Sequence, residues 1–203
     1  MKKIILSVIV LSVFLFSSCK KDTVNEEAIF DPQNKESEQI TQKYQQLVAK
    51  AEFIFDRQNY LVELYYQEKG SDEMIKTPSF NDIPANKVQA FYNLIRYSNG
   101  QLMYVNEFPL TEPRNWDIIY ESYFDENGKI VVFSRLCTFY NSKCADLVSE
   151  KSEYFYNKEF KLIKKTYQIV DGNEKPLHYQ DCVFPYRFPY DIYKNADEWL
   201  KKH

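Results

Sequence analysis

From Ser37 onward the apolar positions recur every three or four residues. Ile40, Tyr44, Leu47, Val48, Ala51 and Phe55 form one stripe, with Gln, Lys and Glu opposite. That spacing predicts an amphipathic helix to about Arg57, with Ser37 as its N-cap. Past it the period is ambiguous: residues 60–66 and 88–97 suit either a strand or a helix, and 71–86, with Pro78 and Pro84, reads as loop. From Trp116 to Tyr140 two aromatic, β-branched segments meet at Asp125-Glu126-Asn127-Gly128, the strongest short hairpin signal in the chain. A two-residue Asn127-Gly128 loop would set Phe124 opposite Val131 and Tyr123 opposite Val132. A three-residue loop with Gly128 in a bulge would shift that register, and both remain open at this point.

The theme of an aromatic, a polar turn, then Lys or Gln and an aliphatic recurs at Tyr97-Ser98-Asn99-Gly100-Gln101-Leu102, at 124–130 and at 155–162, about thirty residues apart. Asp171-Gly172-Asn173 adds a further reversal before a strand over 178–184. The pattern predicts an α+β fold: an antiparallel β-meander sheet of six to eight strands, an N-terminal amphipathic helix packed on it, and a short C-terminal helix over 195–202. That last helix is capped by Asn195 and anchored by Trp199.

The first residues change the picture of where the chain resides. Lys2 and Lys3 precede a stretch, Ile4 to Phe16, that is apolar except for Ser7 and Ser12. As a helix it would span about 20 Å, short of the roughly 30 Å hydrocarbon layer, so it reads as a secretory leader. Phe16-Ser17-Ser18-Cys19 resembles the bacterial lipobox, with Phe16 where leucine is usual. That resemblance implies cleavage after residue 18, acylation of Cys19 and a membrane partner reached through the lipid anchor. The expected organisation is a leader over 1–18, a polar tether over 19–35 with a reach of about 20 Å, and a single globular domain over 36–203. Lys20 after the acylated cysteine implies the outer membrane of a bacterial cell envelope. Losing Lys2 and Lys3 leaves 24 of the 26 basic residues against 29 acidic ones, a net charge of −5 that gives nucleic acid no footing.

Phe124-Asp125-Glu126-Asn127-Gly128-Lys129-Ile130 looks like one unit of a YD-type repeat, and the Asn-Gly turns resemble MORN-like repeats, although the chain has four glycines and one good unit. Over most of 88–167 it resembles cell-envelope lipoproteins of the Bacteroidota built from strands of the form aromatic-aromatic-Asp-x-x-Gly-Lys-aliphatic. The resemblance implies a fold and a location and transfers no catalytic or binding residue.

Candidate chemistry is sparse. The chain has no Gly-x-Ser-x-Gly, His-Glu-x-x-His, phosphate-binding glycine loop or Cys-x-x-Cys, and it holds two histidines, His178 and His203. No catalytic residue, metal ligand or cofactor is therefore expected. Asp72-Glu73 and Asp125-Glu126 read as solvated turn carboxylates. With Cys19 lipidated, Cys137, Cys144 and Cys182 remain, and the short separation of Cys137 and Cys144 suggests a disulfide between them. Pairing of either with Cys182 stays open. The two prolines in Phe184-Pro185-Tyr186-Arg187-Phe188-Pro189-Tyr190-Asp191-Ile192-Tyr193 force an extended segment. Its rings serve either as a strap over the sheet or, through Tyr186, Phe188, Tyr190 and Tyr193, as an aromatic surface for a protein or glycan. The leading expectation is a non-catalytic, membrane-tethered binding or interaction lipoprotein. The alternatives are an envelope hydrolase or carbohydrate-processing subunit, and an immunity or inhibitor lipoprotein.

Overall fold

The computed structural model describes residues 35–81, 83–84, 86–110, 116–140, 142–184 and 190–203. The leader, Cys19 and most of the tether lie outside the described residues, as do Tyr186 and Phe188. Helix α1 (Lys35–Arg57) and a 3₁₀ turn (Asn59–Leu61) lead into eight strands: β1 (Glu63–Glu68), β2 (Met74–Thr77), β3 (Val88–Arg96), β4 (Leu102–Pro109), β5 (Trp116–Phe124), β6 (Ile130–Tyr140), β7 (Leu147–Tyr156) and β8 (Leu162–Asp171). A second 3₁₀ turn (Tyr179–Asp181) and helix α2 (Ala196–Lys202) follow. The strands form one antiparallel sheet in the order β2-β1-β3-β4-β5-β6-β7-β8, so the predicted α+β class and meander hold.

Helix α1 begins two residues before Ser37, which is buried inside the first turn and is not the cap. Glu36 and Glu38 in the first turn and Arg57 in the last oppose the helix dipole. The predicted stripe faces the sheet: Ile40, Leu47 and Ala51 are buried, with Tyr44, Val48 and Phe55 packed beside them, and Ile54, outside the predicted stripe, is buried as well. Side-chain contacts show that α1 runs across the strands. Glu36 Oε1 accepts a hydrogen bond from Asn157 Nδ2 (3.1 Å) beyond β7, and Lys43 pairs with Asp125 beyond β5 (3.0 Å). Further along, Lys50 lies over the Tyr97 ring (4.7 Å) and Phe55 packs edge-on against Tyr104 of β4 (5.8 Å).

Tertiary pairing resolves the ambiguous segments. Residues 88–96 form strand β3 with Val88, Ala90, Tyr92 and Leu94 buried at a period of two; neighbours on both sides reward that alternation, and it overrides the helical reading. The expected loop over 71–86 contains β2, which pairs with β1 before Pro78 is reached. The strand expected over 178–184 does not form. A single bridge, Val170 with Pro176, is followed by the second 3₁₀ turn.

The central hairpin takes the three-residue loop. Gly128 N–H donates to the Asp125 carbonyl and Asp125 N–H to the Lys129 carbonyl (both 2.8 Å), with Gly128 at φ +71°. Tyr123 faces Val132 while Phe124 faces Ile130, so Val131 is the extra residue of a bulge. The same hydrogen-bond pattern recurs at 97–101, 157–161 and 171–175, with Gly100, Phe160 (φ +62°) and Glu174 (φ +61°) in the slot that Gly128 fills. The reversal expected at Gly172 therefore turns on Glu174.

The face away from α1 is covered by the C-terminal chain. Ala196 and Trp199 of α2 pack on Tyr92, Leu94, Leu102 and Phe124. Leu177, Phe184, Tyr190 and Ile192 pack on Ile118, Phe133, Phe139 and Val148. Asn195 caps α2 as expected, accepting from Glu198 N–H (2.9 Å).

Candidate functional site

The C-terminal cover is fastened by a disulfide between Cys144 and Cys182, with Cα atoms 4.8 Å apart. This corrects the expected Cys137–Cys144 bond. Cys137 sits within β6, wholly buried, three residues before the strand ends at Tyr140. Cys144 lies past the end of β6, in the connection to β7, and its sulfur is bonded to Cys182. The rings of the cover turn inward. Tyr190 stacks on Phe133 (5.2 Å, 15°), its hydroxyl lies 3.0 Å from that of Tyr154, and the Arg135 guanidinium lies 5.7 Å from its centroid. Phe184 packs on Phe139 (5.3 Å) and Tyr179 (4.7 Å), and Tyr193 on His203 (6.2 Å). Tyr190 and Tyr193 thus act as the strap; Tyr186 and Phe188 lie outside the described residues. His178 is exposed at the start of the second 3₁₀ turn. His203 closes on Trp199 (4.5 Å), where burial and the Lys202 charge lower its pKa to about 4.

On the α1 face, registration lines up Asn93, Asn106, Glu121, Ser134, Glu153 and Thr166 across six consecutive strands. Glu153 accepts from the hydroxyls of Tyr44 (2.8 Å) and Thr166 (2.9 Å) and pairs with Lys151 (2.7 Å). Burial pushes its carboxyl up, but the Lys151 ammonium and the hydrogen bonds outweigh it and hold the pKa below the usual range. Glu121 accepts from the Tyr104 hydroxyl (2.8 Å), and burial keeps its pKa raised. Two carboxyls driven in opposite directions are the raw material of acid–base chemistry. Here the Tyr44 ring of α1, edge-on to Tyr123 (5.2 Å) and Phe155 (5.5 Å), lies beside them; its hydroxyl bond to Glu153 fastens the helix to β7, while Glu121 is bonded to Tyr104 of β4. The row was not foreseen, because only the register of six strands brings its members together.

A groove of about 330 Å³ opens between the first half of α1 and the turns at 125–129 and 157–161. Gln39, Lys43, Asp125, Lys129, Tyr156 and Lys158 line it. Asp125 caps its own turn, accepting from Asn127 N–H (3.0 Å) and Lys129 N–H (2.9 Å). It is not the solvated residue expected: it is 4% exposed and ion-paired to Lys43. Burial would raise its pKa, yet these amides and the Lys43 ammonium lower it. The groove wall therefore carries the Asp125–Lys43 ion pair, and the exposed Lys129 and Lys158 line it together with the exposed Glu36 and Glu159.

A third place lies on the opposite face. Glu107 of β4 stands between Tyr92 of β3 and Tyr120 of β5 in register. Burial alone, with no neighbouring charge or hydrogen bond contributing, pushes its pKa up to about 7. The Tyr120 hydroxyl is buried without a hydrogen-bond partner.

Among the described residues no cluster of three or more His, Cys, Asp or Glu is placed to hold a metal ion, and no helix is long and apolar enough to cross a membrane. Compared with protein-family models, curated proteins and solved structures, the chain matches none.

Proposed function

We propose that the protein is a non-catalytic binding or interaction lipoprotein of the bacterial cell envelope, held at the outer membrane through Cys19, with the groove beside α1 as its recognition surface. The observation that carries this reading is the groove's make-up. An open cleft of about 330 Å³ is walled by a rigid helix and two tightly bonded turns, and it presents the amide of Gln39, an aromatic ring at Tyr156 and rim ammonium groups. Such a surface offers polar groups for orientation and a ring for stacking, which suits a protein segment or a glycan. The clamp between Lys43 and Asp125 preorganises the wall, so little ordering is lost when a partner binds.

A photo-crosslinking residue at Gln39 or Lys129 of the full-length protein in intact envelopes tests this. Both positions should trap one discrete adduct that a crosslinker at Gln168, exposed on β8 away from the groove, does not trap. Equal trapping at all three positions, or none at the groove, would remove the groove from the function.

A further inference from the structure

Beyond the groove, we propose that Glu107 and Tyr120 form the recognition centre of a second site, on the opposite face of the sheet, for a small organic cation carrying a primary ammonium or guanidinium group. The two residues are direct cross-strand neighbours, and theirs is the last rung on which β4 and β5 pair. The ladder runs only from Tyr104 with Tyr123 to Glu107 with Tyr120, although β4 continues to Pro109 and β5 begins back at Trp116. The strands part there, so the pair stands at the mouth of a split in an otherwise continuous sheet. Glu107 keeps partial exposure at that mouth, whereas Tyr120 is 6% exposed and its hydroxyl has no hydrogen-bond partner.

Both groups are short of the same thing. A carboxylate withdrawn from water is costly unless something donates to it, and a buried phenol oxygen retains accepting capacity. An ammonium or guanidinium is a donor-only cation able to serve the two acceptors at once, adding charge to the carboxylate bond. The walls suit the same ligand. Tyr92 and Tyr120 flank Glu107 in register, and Tyr193 lies near enough to feel the Glu107 charge, so the site is ringed by aromatic groups of the kind that hold organic cations. Among the described residues, the cation in register with Tyr120 is Arg135, which donates to Glu150 (3.2 Å) and lies over Tyr190. One carboxylate and one phenol are too few oxygen ligands for calcium or magnesium, and the carboxyl, ionised above about pH 7, repels anions there.

The test is a titration of the full-length protein, isotope-labelled at tyrosine, with n-butylammonium, n-butylguanidinium and, as the neutral isostere, n-butanol. Saturable shifts of the Tyr120, Tyr92 and Tyr193 resonances are expected with at least one of the two cations and not with butanol. Glu107→Gln keeps the shape and removes the charge, and should weaken binding about tenfold or more; Tyr120→Phe should weaken it about threefold to fivefold. Equal response to butanol and the cations in the parent, no saturation with either cation, or undiminished binding by a folded Glu107→Gln protein would each overturn the proposal. The butanol comparison uses the parent alone and decides the matter even if a variant does not fold.

Discussion

At the scale of single residues, backbone conformation and burial lead to two tests. Gly128 holds φ +71°, and a side chain there would also run into the Gln101 amide. Gly128→Val should therefore cost about 2 kcal/mol and lower the melting temperature by several degrees, as differential scanning calorimetry would show. Glu174 occupies the equivalent slot at φ +61° while exposed. Here the expectation reverses: Glu174→Gly should stabilise by about 0.5–1 kcal/mol, whereas Gly172, without positive φ, should tolerate substitution better than Gly128. The second test is pH. Glu107 keeps its proton to about pH 7 when folded but releases it near 4.5 when unfolded, so its contribution is fullest below pH 4.5 and is lost as pH rises through 7. His203, lowered to about 4, acts in the opposite sense, losing its contribution as pH falls from 6.5 towards 4. Comparing urea unfolding of the parent and Glu107→Gln cancels the histidine. The variant should gain on the order of 2–3 kcal/mol relative to the parent on going from pH 4 to pH 8. A flat difference would mean that the carboxyl is not withdrawn from water.

At the scale of elements, the disulfide is the fastener whose loss should be local. Closing a span of 38 residues contributes about 4 kcal/mol on chain-entropy grounds. Cys144→Ser should speed amide exchange over 176–184 while leaving β3 to β6 protected, and non-reducing peptide mapping should find Cys144 joined to Cys182. A bond containing Cys137 would contradict the strand geometry. What the sequence made legible follows from which signals are local. The α1 stripe, the Asn127-Gly128 reversal, the Asn195 cap and the Trp199 anchor each complete themselves within about one or two turns of chain, and each stands where expected. Strand β3 was ambiguous because Val88, Phe91, Leu94 and Ile95 satisfy a helical period, and only β1 and β4 alongside make alternation the better solution. The disulfide, the row through Glu121 and Glu153, and the pairing of Glu107 with Tyr120 depend on register between distant strands, which no nearby residue encodes. The Asn157 turn was recognised, but nothing in its sequence announced that Phe160 would hold the left-handed position.

At the scale of the whole molecule, the proposed location turns on one atom, the Cys19 sulfur. Cys19→Ser should leave the leader uncleaved at the lipidation step and abolish labelling of the protein by a radiolabelled fatty acid; undiminished labelling would refute a lipid anchor at Cys19. The sheet order carries a consequence for how the molecule comes into being. From β4 to β8 every strand lies beside its immediate predecessor in the chain. Each addition closes only a short loop, so the barrier to growth stays small and the sheet can zip in one direction as the polypeptide is extruded. The exception in time is the cover: Cys182 must wait for Cys144 to be set in place, and α2 reaches β3 and β4 only when the last residues arrive. Until then the apolar side of a nearly finished sheet stands bare, and that interval is when the nascent chain is most exposed to aggregation and most in need of a chaperone.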